Sequence, residues 1–261
     1  MQALPAPMSD TATLNFLWSQ ALVAGLHAAG VRDAVISPGS RSTPLALALL
    51  RQDGFTCHVA VDERAAAFFA LGLARASGQP TVLLATSGTA PANWLPAVVE
   101  ASLAGVPMLL FSADRPPELH GCGANQTVEQ AAMFAPYVRA SHAPGAPAAG
   151  FDPAWLHRLA ARAVEQATWP HPGPVHVSQP FREPLVPRGA ELPRPSLAPI
   201  VVDRPRLLPD DDAVGDLARC LSGRRGVIVC GEQPFAAAFP GAVAALAARL
   251  DSPILAEPLS N

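Results

Sequence analysis

Apolar residues at Leu14, Leu17, Trp18, Ala21, Leu22 and Leu26 recur at the i, i+3, i+4, i+7 spacing of one helix face, and Gly30 follows as a stop. The pattern then changes. Ala34-Val35-Ile36 is a short apolar run of strand type that leads into Ser37-Pro38-Gly39-Ser40-Arg41-Ser42-Thr43-Pro44. Ser42 or Thr43 can cap a helix there, with Pro44 in its first turn. The same order of strand, loop and helix recurs. Cys57 to Val61 run into Asp62-Glu63 and a helix from Arg64 to Ala76; Thr81 to Thr86 run into Ser87-Gly88-Thr89 and a helix ending near Gly105. A fourth strand, Met108 to Phe111, opens a polar loop from Ser112 to Gln126. A helix around Ala154 to Ala167 and a strand at Val175-His176-Val177 complete the series.

Strands alternating with helices predict an α/β fold, a parallel sheet with helices on both faces, followed by the start of a second α/β domain. Ligands of such sheets bind outside the carboxyl ends of the strands. The loops after the first four strands are therefore expected to share one rim. A first domain is expected over residues 1–187, then a Pro-rich linker over 188–211, because Pro184 to Pro209 holds seven prolines and few periodic apolar positions. Residues 212–261 offer one β-α-β unit: Gly226-Val227-Ile228-Val229-Cys230-Gly231, a helix from Ala242 to Leu250, and Pro253-Ile254-Leu255. About fifty residues do not close a doubly wound core, so this second domain is expected to be incomplete and the chain shortened.

Composition narrows the partners. A net charge of -3, with 15% charged residues and no basic run, gives no footprint for nucleic acid or an anionic membrane surface. The N-terminus lacks the pattern of a signal peptide, and no stretch reaches the ~18 apolar residues of a membrane span. A soluble, cytoplasmic protein is expected. All 18 basic residues are arginine, which excludes a Walker A or Schiff-base lysine from this chain. Cys57, Cys122, Cys220 and Cys230 form no C-x-x-C pair and the seven histidines show no ligand spacing, so no metal is expected on this chain alone.

Within the rim loops, Glu63 admits two readings: with Asp62 it complements a helix N-terminus, or it is a chemical group at a strand end. Arg41 and Arg115 are either ion-paired or solvated surface arginines, or guanidiniums that take anions bidentately. Their Gly- and Pro-shaped loops at adjacent strand ends favour the second reading. Asn125 and Gln126 add an amide pair, and Ser40 a hydroxyl suited to hydrogen bonding, since no G-x-S-x-G supports a nucleophile. No strand is followed by G-x-G-x-x-G, which sets dinucleotide binding aside. Cys122 is expected to be a small buried residue, and Trp18, Trp94, Trp155 and Trp169 are expected in the core.

From about Leu14 to Pro184 the chain resembles the pyrimidine-binding domain of thiamine-diphosphate enzymes. The similarity rests on Ile36 to Pro44, Asp62-Glu63-Arg64, Thr86-Ser87-Gly88-Thr89-Ala90, and Ala113 to Gln126 with its Asp-Arg-Pro-Pro-Glu-Leu. Within that family it is similar to the menaquinone-pathway carboligases that join 2-oxoglutarate to isochorismate with loss of carbon dioxide. The resemblance implies that Glu63 hydrogen-bonds the cofactor's pyrimidine and favours its imino tautomer, with Pro38 also at the cofactor. It implies substrate contacts at Ser40, Arg41, Arg115, Asn125 and Gln126. It further implies a homo-oligomer, with Mg2+ and the diphosphate held by a domain bearing a Gly-Asp-Gly motif that this chain lacks. Two functional classes stay open: an enzyme represented by part of its length, and a non-catalytic chain that pairs with a partner supplying the diphosphate-binding half.

Overall fold

The computed structural model describes residues 10–188, 195, 197–203, 207–232 and 237–260, and the chain divides into two compact units, Met1–Val202 and Asp203–Asn261. Helix α1 (Thr11–Ala28) begins where the Asp10 carboxylate accepts the Thr13 N–H at 2.8 Å. Then come β1 (Asp33–Ile36), α2 (Thr43–Arg51), β2 (Thr56–Val59), α3 (Glu63–Ser77) and β3 (Thr81–Ala85). The next helical stretch is split into α4 (Thr89–Ala92) and α5 (Leu95–Leu103), where a single helix is predicted. Pro96 has no N–H for the Ala92 carbonyl, so the ladder cannot run through. Strand β4 (Met108–Asp114), a 3-10 turn at Pro117–Leu119, β5 (Ala140–His142), α6 (Pro153–Thr168) and β6 (Pro174–Pro180) complete the unit.

All six strands are parallel, in the order β2-β1-β3-β4-β6-β5. The central strands are buried on both faces, as their unbroken apolar runs require. One face packs Phe16, Leu22, Leu26, Leu45, Leu49 and Leu156 of α1, α2 and α6 on Leu84, Phe111 and Val177. The other packs Ala66, Ala67, Ala70 and Ala74 of α3 and Ala97, Val98 and Ala101 of α5, with Trp94 and Phe134, on Val35, Leu83 and Leu110. Among the described residues no helix is long and apolar enough to cross a membrane.

Two local expectations are corrected, and one strand is added. Strand β4 runs three residues past Phe111, because Ser112, Ala113 and Asp114 pair with Ser178, Gln179 and Pro180 of β6. Ser42 stands at the start of α2 without capping it; its hydroxyl donates to the Gly39 carbonyl at 3.0 Å instead. Strand β5 is an added edge strand of three residues, too short to carry a period.

In the second unit, helix α7 (Asp211–Leu221) starts on the Asp210 carboxylate, which accepts from the Ala213 N–H at 2.7 Å. Strand β7 (Ile228–Cys230), helix α8 (Phe239–Leu250) and strand β8 (Ile254–Ala256) form the predicted parallel β-α-β. Helix α7 was not predicted, although Asp210-Asp211-Asp212 is an N-terminal signal. Parts of the Pro-rich segment lie outside the described residues; residues 197–203 contain no helix or strand.

Candidate active site

The sheet ladder continues beyond the strands at their carboxyl ends. The Ser37 N–H donates to Leu84 O at 2.8 Å, Ala60 N–H to Ile36 O at 3.1 Å, and Phe181 N–H to Asp114 O at 3.1 Å. These bonds draw the loops after β1, β2, β3, β4 and β6 onto one rim. Gly39 fits only without a side chain, since a Cβ there would lie 2.4 Å from the Thr86 Cβ. Pro38 and Ser40, either side of it, are exposed on the rim.

Glu63 is the first residue of α3 and is half-buried. The helix is started by Asp62, whose carboxylate accepts the Ala65 N–H at 2.8 Å, so the cap falls to Asp62 and leaves Glu63 for other contacts. No hydrogen bond reaches the Glu63 carboxylate from any described residue. Its β2–α3 unit lies at the sheet edge and exposes Val59, Val61, Phe68 and Phe69. A carboxylate on an apolar ledge can hold one polar atom of a flat, largely apolar ligand.

Arg41 and Arg115 are both buried. The Arg41 Nη1 donates to Phe181 O at 2.9 Å and Nη2 to the Glu183 Oε1 at 2.7 Å, while its buried Nε has no partner. Burial, and then the nearby charge of Arg115, lower the Arg41 pKa against the opposing pull of Glu183. Arg115 Nη1 donates to Ser87 Oγ at 3.1 Å. Ser87 and Gln126 clasp each other: Ser87 Oγ donates to Gln126 O at 3.0 Å, and Gln126 Nε2 to Ser87 O at 3.0 Å. This clasp holds Gln126 at a φ of 54° and needs a glycine at Gly88, where a Cβ would lie 2.6 Å from the Gln126 Cγ. Asn125 sits beside it, exposed.

Behind the arginines lies a buried polar network that sequence reasoning missed. Gln130 accepts the Gly88 N–H at 2.6 Å and donates to Ala113 O at 3.0 Å and Ser112 Oγ at 3.3 Å, tying the end of β3 to the end of β4. Ser112 Oγ meets His176 Nε2 at 2.8 Å. Burial pushes the His176 pKa down to about 4, which keeps the ring neutral. Asp114 accepts the Arg115 N–H at 2.7 Å and the Ser178 hydroxyl at 3.2 Å, and burial pushes its carboxyl up. The available signals were a histidine inside an apolar strand and polar residues continuing a strand run, each meaningful only once its partner is known.

The hydrogen bonds thus join Arg115, Ser87 and Gln126 directly, and Arg41 senses Arg115 electrostatically. Glu63, Pro38, Ser40 and Asn125 share the rim without joining that network. The ion-pair reading of Arg41 is realised in its contact with Glu183. Cys122, expected to be buried, is exposed in the loop, its thiol near Leu119 O at 3.3 Å. Trp155 is likewise exposed and edge-on to Trp18, because α6 turns it away from the sheet. Among the described residues no group of three or more His, Cys, Asp or Glu could hold a metal ion.

Residues 18–134 match the family described as thiamine pyrophosphate enzyme, N-terminal TPP binding domain. Relatives named 2-succinyl-5-enolpyruvyl-6-hydroxy-3-cyclohexene-1-carboxylate synthase include one from Dechloromonas aromatica (strain RCB), 62% identical over 97% of this chain and 47% of its own length. Another, from Myxococcus xanthus (strain DK1622), is 44% identical over 97% of this chain and 45% of its own. A third, from Geobacillus kaustophilus (strain HTA426), is 45% identical over 94% and 43% respectively. The chain spans about half the length of the curated relatives it matches. The six-stranded parallel sheet thus carries a segment similar to the N-terminal domain of thiamine pyrophosphate enzymes, and the chain is similar, over the half of their length that it spans, to 2-succinyl-5-enolpyruvyl-6-hydroxy-3-cyclohexene-1-carboxylate synthases.

Proposed function

We propose that this chain supplies one face of the active site of a thiamine-diphosphate-dependent transferase, which adds the four-carbon unit left when 2-oxoglutarate loses carbon dioxide to isochorismate. One observation carries the reading: the strand ends bring a carboxylate free of hydrogen bonds among the described residues, Glu63, to the same rim as two buried guanidiniums. The pyrimidine of the cofactor is assigned to the Glu63 ledge, where a half-buried carboxylate stands on a β2–α3 unit that exposes Val59, Val61, Phe68 and Phe69. When bound, the cofactor supplies a nucleophilic carbon that protein side chains lack.

Glu63 accepts a hydrogen bond from the pyrimidine and holds its proton distribution, and Pro38 closes on the cofactor from the β1 loop. Arg41 and Arg115 take substrate carboxylates; the orphaned Arg41 Nε is an unused donor of the kind a carboxylate satisfies. Both substrates are dicarboxylates, and each of the two fixed cations can take one of their carboxylates. Ser40, Asn125 and Gln126 add hydrogen bonds from the exposed side of the rim. Mg2+ and the diphosphate are assigned to residues outside this chain, the assembly is assigned as a homo-oligomer, and its location as the cytoplasm.

The test is an assay of the complete protein that carries residues 1–261. Carbon–carbon bond formation between 2-oxoglutarate and isochorismate, dependent on thiamine diphosphate and Mg2+, is expected. Ligation to other acceptors but not to isochorismate overturns the substrate assignment; turnover without the cofactor overturns the whole reading.

A further inference from the structure

Arg41 and Glu183 are an unequal pair. The arginine side chain is 6% exposed and the glutamate 70% exposed. The arginine stays in place without its partner, because Nη1 is fixed on Phe181 O at 2.9 Å. The glutamate is held by little else. Its backbone is pinned on both sides, since Asn15 Nδ2 donates to Arg182 O at 2.7 Å and to Pro184 O at 3.2 Å, so only the side chain has freedom to move. The neighbouring Arg182 is already filled by Glu118, through Nε at 2.6 Å and Nη2 at 2.9 Å.

The contact itself is half of what the guanidinium offers. Nε and Nη2 lie along one edge and can give two parallel N–H bonds to a single carboxylate. Glu183 uses Nη2 alone and leaves the buried Nε unpaired. A free carboxylate able to lie along that edge makes two charge-assisted bonds where Glu183 makes one.

We propose that Glu183 is a resident carboxylate that occupies Arg41 until a ligand carboxylate displaces it. The inference rests on the reading of Arg41 as a carboxylate-binding residue. The exchange conserves charge: one carboxylate enters, one swings into water, and the Arg41–Arg115 pair keeps a counter-ion. It also confers selectivity. A ligand with no carboxylate at this position breaks the ion pair without replacing it, so Glu183 is a specificity-determining residue.

Calorimetric titration of the complete protein with 2-oxoglutarate, and with succinate as a simpler dicarboxylate, tests this. Glu183→Gln removes the competitor's charge and is expected to tighten binding about two- to fivefold, the span of a mostly exposed ion pair. Glu183→Ala is expected to do the same, and both keep the wild-type melting temperature. Arg41→Ala is expected to weaken binding and to abolish the gain from Glu183→Gln in the double variant. Equal or weaker binding in both Glu183 variants overturns the displacement, since Glu183 then only orients the arginine. Unchanged binding in Arg41→Ala instead overturns the underlying assignment of Arg41.

Discussion

Glu63 and Arg115 stand on the same rim and are held in opposite ways. Arg115 is buried and locked through Ser87 to Gln126, with Gln130, Ser112 and His176 filling the space beneath. Glu63 is half-buried at an edge, without a side-chain hydrogen bond among the described residues, at the first position of a helix that its neighbour caps. The arginine side is a finished surface, organised before any ligand arrives, as charge recognition requires. The glutamate side is an open ledge of exposed Val59, Val61, Phe68 and Phe69. Under the proposed function, one finished and one open side follow the division between substrate charge and cofactor ring.

Substitutions break the comparison at its two ends. Glu63→Gln in the complete protein is expected to lower turnover roughly 10²–10⁴-fold, with no change in melting temperature because Asp62 keeps the cap. Arg41→Ala or Arg115→Ala is expected to lower kcat/KM for at least one dicarboxylate about 10–150-fold, through loss of charge-assisted hydrogen bonds. Lysine at either position keeps the charge but loses the fork, and is expected to recover only part of that loss.

Protonation tests the network beneath the arginines. His176 is neutral when folded, with its pKa lowered to about 4 from 6.5. The unfolded chain therefore binds more protons between those values. Its contribution to stability is complete above pH 6.5 and is lost as pH falls toward 4, by on the order of 3 kcal/mol at the lower limit. Denaturant titrations at pH 7, 5 and 4 are expected to show this slope in wild type and a shallower one in His176→Gln. The smallest effect belongs to the glutamate side: Asp62→Ala loses one helix cap and about 0.5–2 kcal/mol of stability, read by thermal melting.

The repeating strands and helices were legible because buried parallel strands read as short apolar runs between Gly- and Pro-rich loops. Glu63, Arg41 and Arg115 were legible as rim residues because the fold sends each strand's carboxyl end to the same side. Their partners were not. Glu183 lies 142 residues from Arg41, and Ser178 lies 64 from Asp114, separations at which no local pattern signals contact. The extension of β4 is not legible for the same reason: Ser112 and Asp114 look like loop residues until His176 and Ser178 satisfy them across the sheet. Cys122 was misplaced because small apolar character predicts burial only where a core is within reach.

The role of Glu63 is tested most directly without any substrate. Exchange of the C2 hydrogen of thiamine diphosphate with solvent deuterium, followed by NMR in the complete protein, isolates the proton chemistry assigned to this carboxylate. Glu63→Gln is expected to slow that exchange roughly 10²–10⁴-fold while Arg41→Ala leaves it at the wild-type rate. Exchange at the wild-type rate in Glu63→Gln, with the cofactor bound, contradicts the account.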